Sequence, residues 1–461
     1  MPVGADNPIA SDEAMSAPGR QTPHGSKNAA WLARSRNAVW HPCTQMKSHE
    51  TLPLVPIERG AGAWLYDFDG HRYLDLVSSW WVNLFGHTNP RINAALRAQL
   101  ESLEHVILAG FTHRPVIELS ERLAALAPPG ISHAFYGSDG ASATEIALKM
   151  SFHYWRNHGQ PAKRRFVSLT GSYHGETLGA LSVTDVALFR DVYAPLLSLQ
   201  ATVPCPDARA ARNGQSAADV ARIAAQALEA HLARHHDETA ALIVEPLVQG
   251  ACGMVMYDPS YLERARELCA HYGVHLIADE IMTGFGRTGT LFACEQAGIA
   301  PDLMCLSKGI TGGYLPLSCV LATDDVFDAF YADDVSRGFL HSHSYTGNAL
   351  ACRAALAVLD IFRDDAVLET NRAKAQRFVE IARPLAVHRK VRDFRHLGMI
   401  FAFEVESTRH DFSRHVFREA LAREMLLRPI GKTVYFMPPY ILTDDEFALA
   451  VSRTLEIVEA A

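Results

Sequence analysis

From about Trp40 onward the chain alternates short apolar runs with longer amphipathic stretches. Ala134-Phe135-Tyr136, Arg165 to Leu169, Ala240 to Val244, Val274 to Ala278 and Leu303 to Leu306 are mostly apolar and show no period-two alternation. Strands take that form when both faces of a parallel sheet are covered. Between them, ASATEIALKMSFHYW and PSYLERARELCAHY carry helical periodicity. Strands alternating with helices predict an α/β fold around a mostly parallel central sheet. Ahead of this region, GAWLYDFDGHRYLDLVSS reads as two short strands about a turn at Asp69-Gly70, and PRINAALRAQLESLEHV reads as a helix. Strand patterns at MIFAFEV and TVYFMPPY place a smaller α+β unit near the C-terminus.

A chain of 461 residues accommodates two or three domains, at roughly 150 residues each. The expected division is a large domain over 86–340, with a small domain built from 29–85 and 341–461. Residues 1–28 are rich in Pro, Gly, Ala and Ser without an apolar run, which predicts a disordered tail rather than a secretory signal.

The formal net charge of -8 comes from scattered residues, which argues against a nucleic-acid partner. No apolar stretch is long enough to span a membrane. The eight cysteines form no C-x-x-C pair and several sit in apolar runs, as free thiols of a cytoplasmic enzyme do.

Open α/β sheets bind ligands beyond the carboxyl ends of their strands, so the residues just after each strand are the candidates for chemistry. HAFYGSDGASATEIALKM turns from a strand through a Gly/Ser loop into a helix, and Gly140 and Ala141 there offer backbone donors to a phosphate. A capped strand–turn–helix without a ligand reads the same way. SLTGSYHGET sets Tyr173 and His174 past another strand, where an aromatic could stack on a planar ligand or simply cover the core edge. In HLIADEIMTGFGRTG, Asp279 ends an apolar strand, a costly place for a carboxylate without a partner. A protonated pyridine nitrogen or a structural cation would serve.

Lys308 follows the strand in PDLMCLSKGITGG among small residues, a setting in which a lysine can be neutral and nucleophilic. Gly284 to Gly289 matches G-x-G-x-x-G, but the preceding strand ends five residues earlier and the following segment is poorly patterned for a helix. A nicotinamide-dependent oxidoreductase is thus the weaker reading of this segment. His341 and His343 in HSHSYTGN lack a nearby carboxylate or thiol at metal-ligand spacing.

Together DEIMTGFGRTG and CLSKGITGG, with Asp279 and Lys308 29 residues apart (308 − 279), resemble the class III aminotransferases of pyridoxal-phosphate (PLP) fold type I. The likeness runs from about residue 36 to the end. WHPCTQM, SSWWVNLFGH, EPLVQGACGM and LLRPIGKTVYFMPPY are similar to a branch acting in biotin synthesis, which aminates 8-amino-7-oxononanoate. Most of that branch uses S-adenosylmethionine as donor and some members use lysine; a broad ω-amino acid:pyruvate transaminase is the alternative within the family.

The resemblance implies roles residue by residue. Lys308 carries PLP as a Schiff base, Asp279 pairs with the ring nitrogen, and Tyr173 lies against cofactor and substrate. Gly140 and Ala141 bind the phosphate, helped by His343 and Ser344 of the other subunit in a homodimer. Trp80 and Ser342 line the substrate channel, Arg428 binds the distal carboxylate, and Cys43 stands in substrate recognition where a tyrosine is usual. Ala141 stands for a serine, and HSHS for an HGPT-like string. A silent PLP-fold protein would not need both Lys308 and Asp279, and both are present.

Overall fold

The computed structural model describes residues 26–52 and 54–461. A seven-stranded sheet forms its centre, in the order Ile131–Gly137, Ser318–Thr323, Leu303–Leu306, His275–Asp279, Thr239–Val244, Arg165–Leu169, Ala201–Val203. Ser318–Thr323 runs against both neighbours, and the other six strands are parallel. The five strands expected from apolar runs are all present, with ends shifted by up to three residues. Ser318–Thr323 and the short edge strand Ala201–Val203 were not anticipated.

Alternate residues along the inner strands feed two separate cores, because successive strand side chains point to opposite faces. Leu242, Val244, Leu276, Ala278, Met304 and Leu306 pack on one face. Ile243, Ile277, Leu303 and Cys305 pack on the other, against Ala143, Ile146 and Ala147 of the helix Gly140–Asn157. Both faces being apolar explains the unbroken hydrophobic runs in the sequence.

The α+β part joins the two ends of the chain. Ile57–Ala61, Trp64–Asp67 and Arg72–Asp75 form an antiparallel meander, and Met425–Leu426 adds in parallel beside Arg72–Asp75. A second sheet of Val391–Leu397, Ile400–Val405 and Thr433–Phe436 is backed by Val367–Ala386 and Asp444–Ala460, where Phe378 stacks on Phe447 at 4.0 Å. The helix expected from PRINAALRAQLESLEHV stops at Leu100, where Gln99 folds back and its amide donates to the Leu103 carbonyl at 2.7 Å.

A helix begins at Lys27, inside the segment 1–28 expected to be disordered, and the backbone N–H of Lys27 donates to Asp69 at 2.8 Å. Residues 1–25 of that segment lie outside the described residues. Among the described residues no helix is long and apolar enough to cross a membrane. All eight cysteines are free.

At the amino ends of the strands Lys163 is buried, and its ammonium donates to the carbonyls of His236 (2.7 Å), Gly273 (2.7 Å) and Thr239 (3.3 Å). The side chain ties the start of one strand to the loop before the next. Lys163→Met leaves those carbonyls without this donor, at a cost of about 2–3 kcal/mol. The denaturation midpoint of the apoprotein should fall accordingly while cofactor binding persists, since the candidate site lies at the opposite ends of the strands. An unchanged midpoint would refute the tie.

Candidate functional site

Five parallel strands deliver a polar residue each at or just past their carboxyl ends: Ser138, Tyr173, Glu245, Asp279 and Lys308. All five line one cavity of about 630 Å³. The placement follows from topology, because parallel strands put all their carboxyl ends on one side.

At one end of the cavity the helix Gly140–Asn157 begins. The Asp139 carboxylate accepts from Ser142 N–H at 2.9 Å, and among the described residues nothing accepts from the N–H groups of Gly140 and Ala141. Helix dipole and free donors together favour an anion there. Gly140 is needed for the close approach, since a Cβ on it would meet Ile281 at 2.9 Å.

Asp279 is buried and oriented from two sides. Its Oδ2 meets His174 Nδ1 at 2.7 Å and its Oδ1 accepts from Ile281 N–H at 3.1 Å. His174 Nε2 is buried without a partner among the described residues. Glu245 accepts from Tyr173 N–H (3.0 Å) and Gly250 N–H (2.9 Å). Burial raises its carboxyl to about 7, against the lowering influence of His174. Tyr173 OH donates to Glu176 at 2.9 Å. Burial raises that hydroxyl, with smaller pushes from Glu176 and from the Cys43 thiol.

Lys308 leaves its strand in the left-handed region, at φ +47°. That conformation costs about 1–2 kcal/mol for a residue with a side chain, and such strain gathers at functional sites. Burial lowers its ammonium to about 8, although Asp279 and Glu245 pull the other way. Lys308 Nζ lies 4.7 Å from the centre of the Trp81 ring. Trp81 in turn donates to Tyr435 OH at 3.1 Å.

Ser78, Ser79, Trp80 and Trp81 have φ of +50°, +47°, +72° and +70°, a full left-handed turn of non-glycine residues. It presents Trp80 and Trp81 to the cavity. The Arg428 guanidinium sits 4.5 Å over the Trp80 ring, within cation–π range.

The structure thus brings Lys308, Asp279, Tyr173, Gly140, Ala141 and Trp80 to one cavity, with Arg428 against Trp80. Cys43 is exposed and does not line the cavity. Ser342, His343 and Ser344 do not line the cavity of their own chain. His343 Nδ1 meets Ser138 Oγ at 2.9 Å, Ser342 and Ser344 are exposed, and the Ser344 carbonyl receives His105 Nε2 at 2.8 Å. His341 is paired with Lys149 Nζ at 2.8 Å.

The G-x-G-x-x-G string forms no nucleotide loop, since turns and then a five-residue 3-10 helix at Ala293–Ala297, not an α-helix, follow it. Its Arg287 is fully buried and donates to the carbonyls of Pro438 (2.7 Å) and Asn83 (2.9 Å). Sequence reasoning gave no role to Glu245 or to the His174 contact with Asp279. Glu245 follows the apolar run ALIV directly, the same signal that marked Asp279.

Residues 45–458 match the class III aminotransferase family. The chain belongs to the class III aminotransferases. It is 47% identical over 428 residues to an adenosylmethionine-8-amino-7-oxononanoate aminotransferase from Helicobacter pylori, covering 91% of this chain and 96% of the relative. A solved structure of the enzyme with that name from Methanocaldococcus jannaschii superimposes with a TM-score of 0.87 at 33% identity, covering 94% of this chain and 99% of the other. An ω-transaminase from Pseudomonas jessenii in complex with PMP gives 0.88 at 29% identity, over 93% and 97%. Like the rest of the class III aminotransferases, the chain is a PLP-dependent enzyme.

The cavity suits PLP on its own terms, with free helix-terminal donors for a phosphate, an oriented carboxylate for a ring nitrogen and the half-buried Lys308 amine for an aldehyde. The buried Glu245 supplies a test of the site's electrostatics in the apoprotein. With its carboxyl raised to about 7 from 4.5, the folded chain holds a proton there that the unfolded chain releases. Stability contributed by that proton is complete at low pH and is lost as pH rises to about 7, on the order of 3 kcal/mol. Between pH 5 and 8 the denaturation midpoint of Glu245→Gln should change less than that of the parent. Parallel profiles would show that Glu245 does not titrate there.

Proposed function

We propose that this class III aminotransferase moves an amino group from S-adenosylmethionine to the ketone carbon of 8-amino-7-oxononanoate, giving 7,8-diaminononanoate in biotin synthesis. The observation carrying this reading is the pairing of Trp80 with Arg428 beside a cavity that holds Lys308, in a chain so similar to relatives named for that reaction. An apolar chain ending in a carboxylate calls for an aromatic wall and a distant fixed cation. Arginine serves a carboxylate better than lysine because its donors form a fork.

PLP, when bound, supplies an electron sink for charge developing at the substrate carbon. The N–H groups of Gly140 and Ala141 would hold its phosphate. The Asp279 carboxylate would pair with a protonated ring nitrogen, and His174 keeps that carboxylate aimed. Tyr173 would lie against the bound cofactor. Lys308, lowered to about 8 by burial, is neutral in about a tenth of molecules at pH 7, far more than an ordinary lysine, and can take a proton on Nζ from the substrate carbon and return it. Trp81 shields the amine from water.

The active unit is a cytoplasmic homodimer in this reading. Ser342, His343 and Ser344 serve the partner subunit's cavity, with His343 and Ser344 at the phosphate and Ser342 in the channel. Exposed Leu340 and Tyr345 flank that loop, as suits an interface. Cys43 shapes the donor pocket.

A single half-reaction tests the assignment. Protein loaded with PLP is mixed with 7,8-diaminononanoate and no keto acceptor, and the visible cofactor band is followed. The band should bleach, and in Lys308→Ala it should not. Bleaching by simple amines but not by the diamine would overturn the substrate while keeping the family. S-adenosylmethionine and lysine, each offered as sole donor, then settle the donor.

The amine's acidity gives a second test. Capture of added PLP by the apoprotein requires neutral Lys308, so its rate should rise through pH 8 and level off above. A rate still climbing at about pH 10, the ordinary lysine value, would show that burial does not act as described.

A further inference from the structure

One buried carboxylate grips the left-handed turn Ser78–Trp81 from its N-terminal side. Asp75 Oδ1 accepts from the N–H groups of Val77 (3.3 Å) and Ser79 (2.9 Å), and Oδ2 accepts from Ser79 Oγ at 2.7 Å. Its residue is fully buried. The remaining partner is His87, whose Nε2 lies 3.2 Å from Oδ2. Asn83 sets the state of that imidazole. Its Oδ1 accepts from Gly86 N–H at 2.7 Å, so its amide nitrogen faces His87 Nδ1 at 3.2 Å and donates to it. Nδ1 is therefore unprotonated, and Nε2–H donates to Asp75.

The two tryptophans depend on the turn unequally. Trp81 has ties of its own: its indole donates to Tyr435, its N–H donates to Val77 O at 2.8 Å, and its ring packs on Gly250, where a Cβ would come within 3.2 Å. Trp80 is 44% exposed, and Arg428 lies over its ring. Without a hydrogen bond to its indole among the described residues, its ring direction depends strongly on the backbone on either side, and Asp75 grips that backbone at Ser79.

We infer that Asp75 is a positioning residue for substrate selectivity, which by clamping Ser79 in the left-handed region aims Trp80 at Arg428 and so forms the subsite for the carboxylate end of the substrate. This rests on the reading of Arg428 given above. Asp75 touches neither cofactor nor reacting atoms. Its loss should therefore weaken recognition of the far end of the substrate and leave the chemistry at Lys308 intact.

Asp75→Asn is the sharpest probe, because it replaces the acceptor at Oδ2 with an N–H₂ that faces the His87 Nε2–H donor. On the PLP-loaded enzyme, KM for 8-amino-7-oxononanoate should rise about tenfold or more with kcat within about threefold. The visible cofactor band, and bleaching by a short amine without a carboxylate, should match the parent. Ser79→Ala removes only the Oγ bond, should shift KM the same way by less, and provides the measurement if Asp75→Asn does not fold.

An unchanged KM in both variants overturns the inference. So does an equal loss toward the oxononanoate and the short amine, which would mark Asp75 as scaffold alone. Arg428→Ala separates the two levels. If it leaves KM for the oxononanoate unchanged, the carboxylate reading itself fails; if it raises KM while the Asp75 and Ser79 variants do not, only the positioning role fails.

Discussion

A charged amine loses hydration when it is buried, and the Lys308 side chain sits in a cavity at the carboxyl ends of strands packed on both faces. Asp279 and Glu245 recover part of the charged form but do not offset the burial, which leaves the ammonium near 8. The surrounding structure serves this one condition. Parallel strands bring the polar ends together, apolar runs exclude water on both faces of the sheet, and Trp81 lies against the amine. A lysine on the surface of the same fold would be a solvated cation with no comparable chemistry.

Two backbone distortions frame that amine. Lys308 itself is left-handed, and four successive residues at Ser78–Trp81 are too. The turn persists because several neighbours hold it, with Asp75 accepting from Ser79 N–H at 2.9 Å, Arg287 holding the Asn83 carbonyl and Ser78 Oγ holding the Met437 carbonyl at 2.7 Å. Strain concentrated on either side of the cavity is consistent with side chains that must point inward rather than relax. It also links the two ends of the chain, since Met437 and Arg428 come from the C-terminal segment and the turn from the N-terminal one.

Much of this was legible before any fold was known. The apolar runs at 165–169 and 303–306 became strands with those same ends, because two-sided burial leaves an unbroken hydrophobic signature. Ser318–Thr323 was missed altogether, and its apolar run would not have given its direction. A run of apolar residues carries no information about whether its partners are parallel, and its antiparallel pairing depends on a short connection after Lys308. The GFGRTG string misled only in isolation: its glycines serve turns, with Phe285 at φ +56° and Gly286 at φ +88°, and its arginine binds carbonyls.

The amino-acid sequence alone determined the α/β class, the strand ends where chemistry gathers, and the Asp279–Lys308 pair, because hydrophobic period and strand-end residues are local properties. Tertiary structure decided which of those ends share one cavity, that His174 orients Asp279 across 105 residues of chain, and that Asp75 holds the tryptophan turn beside Arg428. These are contacts between segments far apart in sequence. Their existence depends on sheet order and on strained backbone held by distant partners, neither of which leaves a periodic trace in the chain.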